Sequence, residues 1–459
     1  MKKVAIVAAT LIVVIFLCWV GASYYTGGVI ARRLPEELRK VEEITGWSYA
    51  IKEEDRGIFR SRYVIAMSLP LPADPDAGAS PGVISLDMTW HIPHGPLAFK
   101  DGSLTLCQAL ADVTFAIAPD AAPDVSAAAA QIPELLQSSL HAQANFDDTG
   151  SLTFTVPPFF RSFVQKNGTP LNVDWKGLTL TVNFAKDNSF TGTLDAPALV
   201  LRDPKDDNHR VALSGLSETF SAKVVPGRPH LSTGDVHGVL KSLDVNAPAA
   251  HTAFSISDIT LNGRLAPRGV VLDYTIDVKG TRHAPDSPDI PANLNIALNS
   301  LDPDALNELL GMLQKAGVAK QDPSHEEIVR VASGLLSRSP SITLLASAME
   351  GTPSGPVTLK AQVDTDRMKT LPPSWDRALT QLRVNASLDA SETSLLDLMR
   401  LLRSENAPGT PACEQCREED AQSIDDLVTR GHLIRADGKL AAEVVWDGQT
   451  LLINGKPLQ

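Results

Sequence analysis

Ile84-Ser85-Leu86-Asp87-Met88-Thr89-Trp90-His91-Ile92 alternates apolar and polar side chains without a break. A period of two puts Ile84, Leu86, Met88, Trp90 and Ile92 on one face of a strand and the polar residues on the other. The same alternation returns along the chain. It runs through Leu178, Leu180, Val182 and Phe184, then Leu272, Tyr274, Ile276 and Val278, then Leu294, Ile296 and Leu298. Later it runs through Val357, Leu359, Ala361 and Val363, through Leu382, Val384, Ala386 and Leu388, and through Leu440, Ala442, Val444 and Trp446. Strands of a parallel sheet, covered on both faces, read as continuous apolar runs, so this pattern argues for antiparallel sheet with one wetted face. Asp447-Gly448, between Trp446 and Leu451, predicts a type I′ hairpin turn joined to the main sheet, and Asn262-Gly263 reads as a turn or a bulge.

Helical patterns interrupt the strands mainly in the last third. Asp302 is placed to cap a helix with Pro303 at its first position, Leu306, Leu309, Leu310 and Leu313 on one face, and Gly317 closing it. Further helices are predicted over 324–336, 394–402 and 422–429. Residues 404–418, with Pro408, Gly409 and Pro411, read as a loop. The expected class is therefore α+β: mostly antiparallel β-sheet, elongated, with helices packed on it towards the C-terminus.

The N-terminus adds a different element. Val4 to Val20 is apolar but for Thr10, and no charge falls between Lys3 and Arg32. As a helix continued to about Tyr24, that run is long enough to cross a ~30 Å hydrocarbon core, with Trp19, Tyr24 and Tyr25 at headgroup level. It exceeds the apolar region of a cleaved signal peptide, and Leu17 before Cys18 does not suit lipidation. The reading is an uncleaved transmembrane anchor, with Lys2 and Lys3 favouring a cytoplasmic N-terminus. Leu34, Leu38, Val41 and Ile44 then share one face of a separate short amphipathic helix. The expected organisation is an anchor over 1–31, a β-rich part over 32–120 and a main β-rich part with C-terminal helices over 121–459, divided at the Ala- and Pro-rich residues 120–131.

Composition narrows the function classes. Of 459 residues 43% are hydrophobic and 5% aromatic, and the net charge is −13. Such a surface repels phosphate backbones, and no basic run reverses this locally, so nucleic acid is not an expected partner. Cys413-Glu-Gln-Cys416 has disulfide or redox spacing. A thioredoxin-type site, however, wants the pair at a helix start, and zinc wants two further ligands, while His432 stands alone. A local disulfide, two unpaired structural thiols, redox chemistry and metal binding all remain open for Cys413 and Cys416, the first two favoured. His91 and His94 are three apart with no carboxylate cluster beside them, which favours structural use over metal binding. No nucleophile elbow, phosphate-binding glycine loop or zinc-protease helix occurs, and no cofactor is expected.

Several segments in order resemble the YdgA-like family of bacterial envelope proteins, whose function is unknown. They are Tyr25-Thr26-Gly27 after the anchor, Asp55-Arg56-Gly57-Ile58-Phe59-Arg60-Ser61, and His91-Ile92-Pro93-His94-Gly95-Pro96-Leu97. Asn299-Ser300-Leu301-Asp302-Pro303-Asp304-Ala305-Leu306 and Ile453-Asn454-Gly455-Lys456-Pro457-Leu458 follow. The residues that carry the resemblance most clearly are Gly57, Ser61, His94, Gly95, Pro96, Asn454 and Gly455. Cys413 and Cys416 lie outside the pattern. The resemblance implies an inner-membrane anchor with a periplasmic domain and supplies no catalytic residue. The expected function is that of a non-enzymatic, membrane-anchored envelope protein binding lipid or another amphiphile along an apolar sheet face. The rivals are an interaction scaffold for another envelope protein, which predicts an exposed edge or patch, and a hydrolase with an unrecognised site, which predicts titratable groups clustered in a cleft.

Overall fold

A computed structural model describes residues 2–70, 83–100, 103–121, 130–164, 170–204, 206–247, 252–283, 289–319, 323–368, 370, 372, 374–406 and 414–458. Within these, the side chains of 2–15, 43–44, 70, 99–100, 103, 206–208, 247, 252, 317–319, 375–376, 400–406 and 414–417 lie outside the description. The chain folds as two compact units, one of residues 1–161, 175–196 and 312–322, the other of 162–174, 197–311 and 323–459.

The first unit opens with α1, Lys2–Thr45, one helix of 44 residues. The strands that follow are β1 Ser48–Arg56, β2 Arg60–Pro70, β3 Val83–Pro93, β4 Leu97–Lys100, β5 Ser103–Leu106 and β6 Ala109–Ile117. A short α2, Pro133–Leu136, precedes β7 Ser139–Ala144, β8 Gly150–Val156, β9 Phe159–Val164, β10 Pro170–Trp175, β11 Leu178–Phe184 and β12 Ser189–Asp203, the strands around β9, β10 and β12 being shared between units. Antiparallel pairing runs β1–β2–β3–β6–β7–β8–β11–β12, with β4–β5 a separate two-stranded piece.

The face predicted from Ile84 to Ile92 is the one this unit buries. Met88 and Ile92 join Tyr63, Ile65, Met67, Ala111 and Val113 in its core, and Ile30, Leu34 and Leu38 of α1 pack against them. Three half-buried side chains of that kind contribute on the order of 3 kcal/mol to holding the helix down. Two expectations are corrected here. The anchor and the amphipathic stretch are not separate helices: α1 continues through Pro35. Proline removes one backbone bond and strains a helix interior, but the apolar contacts on both sides of it keep the axis in place. Nor do residues 120–131 divide the units, since β6 pairs with β7 across them.

The second unit is also built from antiparallel strands. They are β13 Asp206–Val225, β14 Arg228–Ala247, β15 Thr252–Arg268, β16 Val271–His283, β17 Ile290–Leu301, β18 Ser341–Ala348, β19 Val357–Asp364 and β20 Arg383–Ser391, then β21 Ile434–Ala436, β22 Lys439–Trp446, β23 Leu451–Ile453 and β24 Lys456–Pro457. Sequential neighbours pair from β13 to β20, β22 pairs with β20, and β21 and β23 share the other edge of β22. The helices are α3 Pro303–Ala319, whose residues from 312 onward belong to the first unit, α4 His325–Leu336, α5 Trp375–Leu379, α6 Glu392–Asn406 and α7 Glu414–Thr429. Asp302 caps α3 as expected, its Oδ1 accepting from the amides of Asp304 and Ala305 (3.0 Å each). Ser324 and Glu327 form a capping box on α4.

Local readings fail in three places. α3 runs past Gly317 to Ala319. Residues 404–406 and 414–418 are helical rather than loop. Asn262-Gly263 lies in regular pairing inside β15; the irregularity falls at Ser257/Thr260, where Asp258 has φ 53°. Gly263 instead makes room across the strand, where a Cβ would come within 2.7 Å of Val236 Cγ1. Among the described residues no helix is long and apolar enough to cross a membrane. Most of the apolar run Val4–Val20 falls on residues whose side chains lie outside the description.

Candidate functional site

Three of the segments singled out in the sequence meet at one seam of the first unit. α1 crosses the sheet where the β1–β2 turn (57–59) and the chain after β3 come together. Gly57 N donates to Arg60 O (2.8 Å) and closes the turn; His94 N donates to Phe59 O (3.0 Å), and Gly95 N to Gln108 O (3.3 Å). His94 and Ser61 are sealed in, at 1% and 2% exposure, and are hydrogen-bonded through Nε2 and Oγ at 3.2 Å. The helix lies close upon them. A Cβ on Gly27 would come within 2.6 Å of His94 Cε1, and one on Gly28 within 2.8 Å of Arg56 Nη2. Gly95, at φ +122°, abuts Ser23, whose Cβ would be 2.9 Å from an added Cβ and whose Oγ would be closer still.

Arg56 ties the seam to the helix from outside. Its Nη2 donates to Tyr24 O (3.0 Å), and its guanidinium carbon lies 4.8 Å from the Tyr24 ring centroid. Next along α1, the Trp19 ring packs on Phe59 at 4.7 Å between centroids. Burial pushes the His94 imidazole below the ordinary histidine range, and the Arg56 charge acts in the same direction, so the ring is neutral at neutral pH. Ser23 Oγ and His94 Nδ1 are buried with no hydrogen-bond partner among the described residues.

Ser61 and His94 have the spacing of a nucleophile and its base, and α1 lies over both. Such a pair needs a route for substrate and a group on the far nitrogen to fix the imidazole. Here the helix covers the pair, with Ser23 of α1 next to His94. What the seam does is fix where α1 lies on the sheet. Among the described residues no group of three or more His, Cys, Asp or Glu is placed to hold a metal ion. His91 is exposed on β3, apart from buried His94.

The second unit presents a different surface. Its registers align three apolar rows across β16 to β22. One is Tyr274, Leu298, Ile342, Val363, Val384 and Trp446; the next is Ile276, Ile296, Leu344, Ala361, Ala386 and Val444; the third is Val278, Leu294, Ala346, Leu359, Leu388 and Ala442. At about 4.8 Å per strand the rows extend roughly 24 Å. The far end is covered: Leu388 and Ala442 pack with Leu395, Leu396, Met399 and Val428 of α6 and α7 around buried Ile424, Leu433 and Leu440. Trp446 Nε1 donates to Leu379 O (2.8 Å). Nearer the middle the face stays open, with Ile342 at 43% and Leu359 at 42% exposure. The opposite face carries a depression of about 610 Å³ lined by both polar and apolar groups, among them Lys360, Asp389, Glu443, Ile434 and Ala441.

The model of a family of bacterial proteins of unknown function, DUF945, matches residues 1–459, the whole chain. The chain belongs to DUF945. No curated protein matches it. Within this DUF945 chain the remaining motif residues have their own places. Pro96 follows Gly95 at the seam and leads into β4. Asn454 and Gly455, at φ 50° and 75°, make the tight two-residue turn between β23 and β24. Asn454 also donates through Nδ2 to Gly431 O (2.9 Å) and accepts from Glu443 N (2.8 Å), so it fastens three segments of the second unit. Cys413 lies outside the described residues; Cys416 lies in the first turn of α7 with its side chain outside them. Ser23 was not singled out in the sequence, and Arg56, Trp19 and Phe59 were quoted there without these contacts, because only the fold brings residues so far apart in the chain together.

Proposed function

We propose that this DUF945 protein is a non-enzymatic bacterial envelope protein of the YdgA-like kind. It is held in the inner membrane by the start of α1, with its main body periplasmic, and binds lipid or another amphiphile along the apolar face of its second unit. The observation that carries the ligand reading is the open stretch of that face around Ile342 and Leu359. Three aligned rows that the helices cover only at one end leave apolar area in water, which marks a binding surface. The anchor reading rests on the uncharged run Val4–Val20 lying within one unbroken helix. The convergence of three of the five family-like segments at that helix supports the YdgA-like reading, because it gives those three a shared reason to occur together.

Photoactivatable diacyl lipid in membranes carrying the full chain tests the ligand reading. Ile342→Glu and Leu359→Glu are expected to reduce labelling of the second unit several-fold, while Thr343→Glu, on the other face of β18, leaves it unchanged. Equal labelling of all three variants refutes the proposed face. A protein partner captured in place of lipid, and lost in the same two variants, makes the face a scaffold.

A further inference from the structure

The first unit carries exposed apolar side chains where a soluble surface has no use for them. Ile58 and Phe59 form the tip of the β1–β2 hairpin and are 47% and 38% exposed. They are not at a random place. Phe59 stacks on Trp19, which lies at the end of the run Val4–Val20, and Arg56 and Arg60 flank the tip. One turn further along α1, Ser23 abuts Gly95, from which the β4–β5 hairpin leaves with Leu97, Leu104 and Leu106 exposed on a single face.

From this geometry we infer that the β1–β2 tip is a second membrane contact, dipping into the headgroup layer beside the anchor. The inference rests on the anchor reading, since it takes its depth from α1. If Val4–Val20 fills the hydrocarbon, Trp19 stands at its boundary, and a ring stacked on Trp19 stands at the same depth. An aromatic and an isoleucine on a rigid turn, with arginines on either side, suit the interface of a bilayer that contains anionic lipid. The seam of Gly27, Gly28 and Gly95 leaves no slack between helix and sheet, so the tip cannot swing away while α1 is inserted. The occupant is the lipid surface itself.

The test uses the full chain in vesicles of phosphatidylethanolamine and phosphatidylglycerol, with a fluorescent amino acid introduced at single positions. Lipids brominated near the headgroup serve as quenchers. Position 58 is the tip; position 17, in the apolar run, reports the anchor. Position 41 is exposed on α1, about 33 Å along the axis from Trp19, and is the control. The expected result is strong quenching at 17 and 58, with a blue-shifted emission at 58, and none at 41. Quenching at 17 without quenching at 58 overturns the contact and leaves the anchor standing. No quenching at 17 overturns the anchor, and the tip contact falls with it. Ile58→Glu and Phe59→Glu together are expected to abolish the effect at a neighbouring tip probe while leaving position 17 quenched; an unchanged tip probe overturns the inference.

Discussion

Gly95→Ala is the sharpest way to ask whether the seam holds α1 on the sheet. Two costs arise at once. At φ +122° an L-residue is held in a conformation it rarely adopts, which costs on the order of 1–3 kcal/mol. The new methyl would also lie 2.9 Å from Ser23 Cβ and 3.2 Å from its Cα, contacts that the backbone must relieve by moving. Overpacking of that kind adds about 1–3 kcal/mol. The expected loss is therefore about 2–6 kcal/mol in the first unit, read as a lower denaturant midpoint by a probe in that unit of the full chain. A second substitution separates the terms. Ser23→Gly removes Cβ and Oγ from the contact, so Gly95→Ala made in that background keeps the conformational cost and loses most of the steric one. The two changes should couple by about 0.5–3 kcal/mol. A Gly95→Ala protein that unfolds within about 0.5 kcal/mol of the parent, a change typical of neutral surface sites, would show that helix and sheet do not meet as described.

The seam also predicts a pH dependence. His94 has its pKa depressed in the fold, so between that value and the ordinary 6.5 the unfolded chain binds the extra proton. Stability is complete above 6.5 and falls as pH drops below it; His94→Gln should flatten this part of a midpoint-against-pH curve, and an unchanged slope assigns the effect elsewhere. In the second unit, Asn454→Ala removes both side-chain bonds and a residue suited to φ 50°, and should cost about 2–4 kcal/mol. A change within the noise of calorimetry would make the C-terminal turn dispensable.

Much of the strand pattern was legible because a half-wetted strand writes its burial directly into the chain. Ile84–Ile92 and Leu272–Val278 give both the strand and the face. Turns were read less well. Asp447-Gly448 does sit in a hairpin, but Trp446 pairs with Leu451, so the connection has four residues, with Asp447 Oδ1 accepting from the amides of Gln449 and Thr450. Tight turns with both residues at positive φ are Asp437-Gly438 and Asn454-Gly455, the second quoted in the sequence for its resemblance and not for its backbone. The break expected after the anchor failed because the change from an apolar run to an amphipathic pattern is a local signal, whereas the continuity of α1 is supported by tertiary packing of Ile30, Leu34 and Leu38. The seam itself was hidden for the same reason. Nothing local ties Ser23 and Gly27 to Ser61 and to His94, and each motif alone reads as an ordinary turn or strand end.

A helix held on a sheet by Ile30, Leu34 and Leu38 alone could slide or turn at small cost, since leucine-like side chains repack with little loss. The polar and glycine contacts cannot. Rotating α1 by one residue, about 100°, would take Gly27 off His94, bringing the Cβ of Thr26 against the ring in one sense of rotation, and would leave Ser61, His94 and Arg56 without their present neighbours. Burying Ser23, Ser61 and His94 is a poor way to gain stability but a good way to select one helix position. If the start of α1 lies in the membrane, that position fixes the height and the azimuth of the first unit above the bilayer. Three of the family-like segments then share a mechanical role. They set a rigid mount, and the mount determines which residues, Ile58 and Phe59 first, are presented to the lipid.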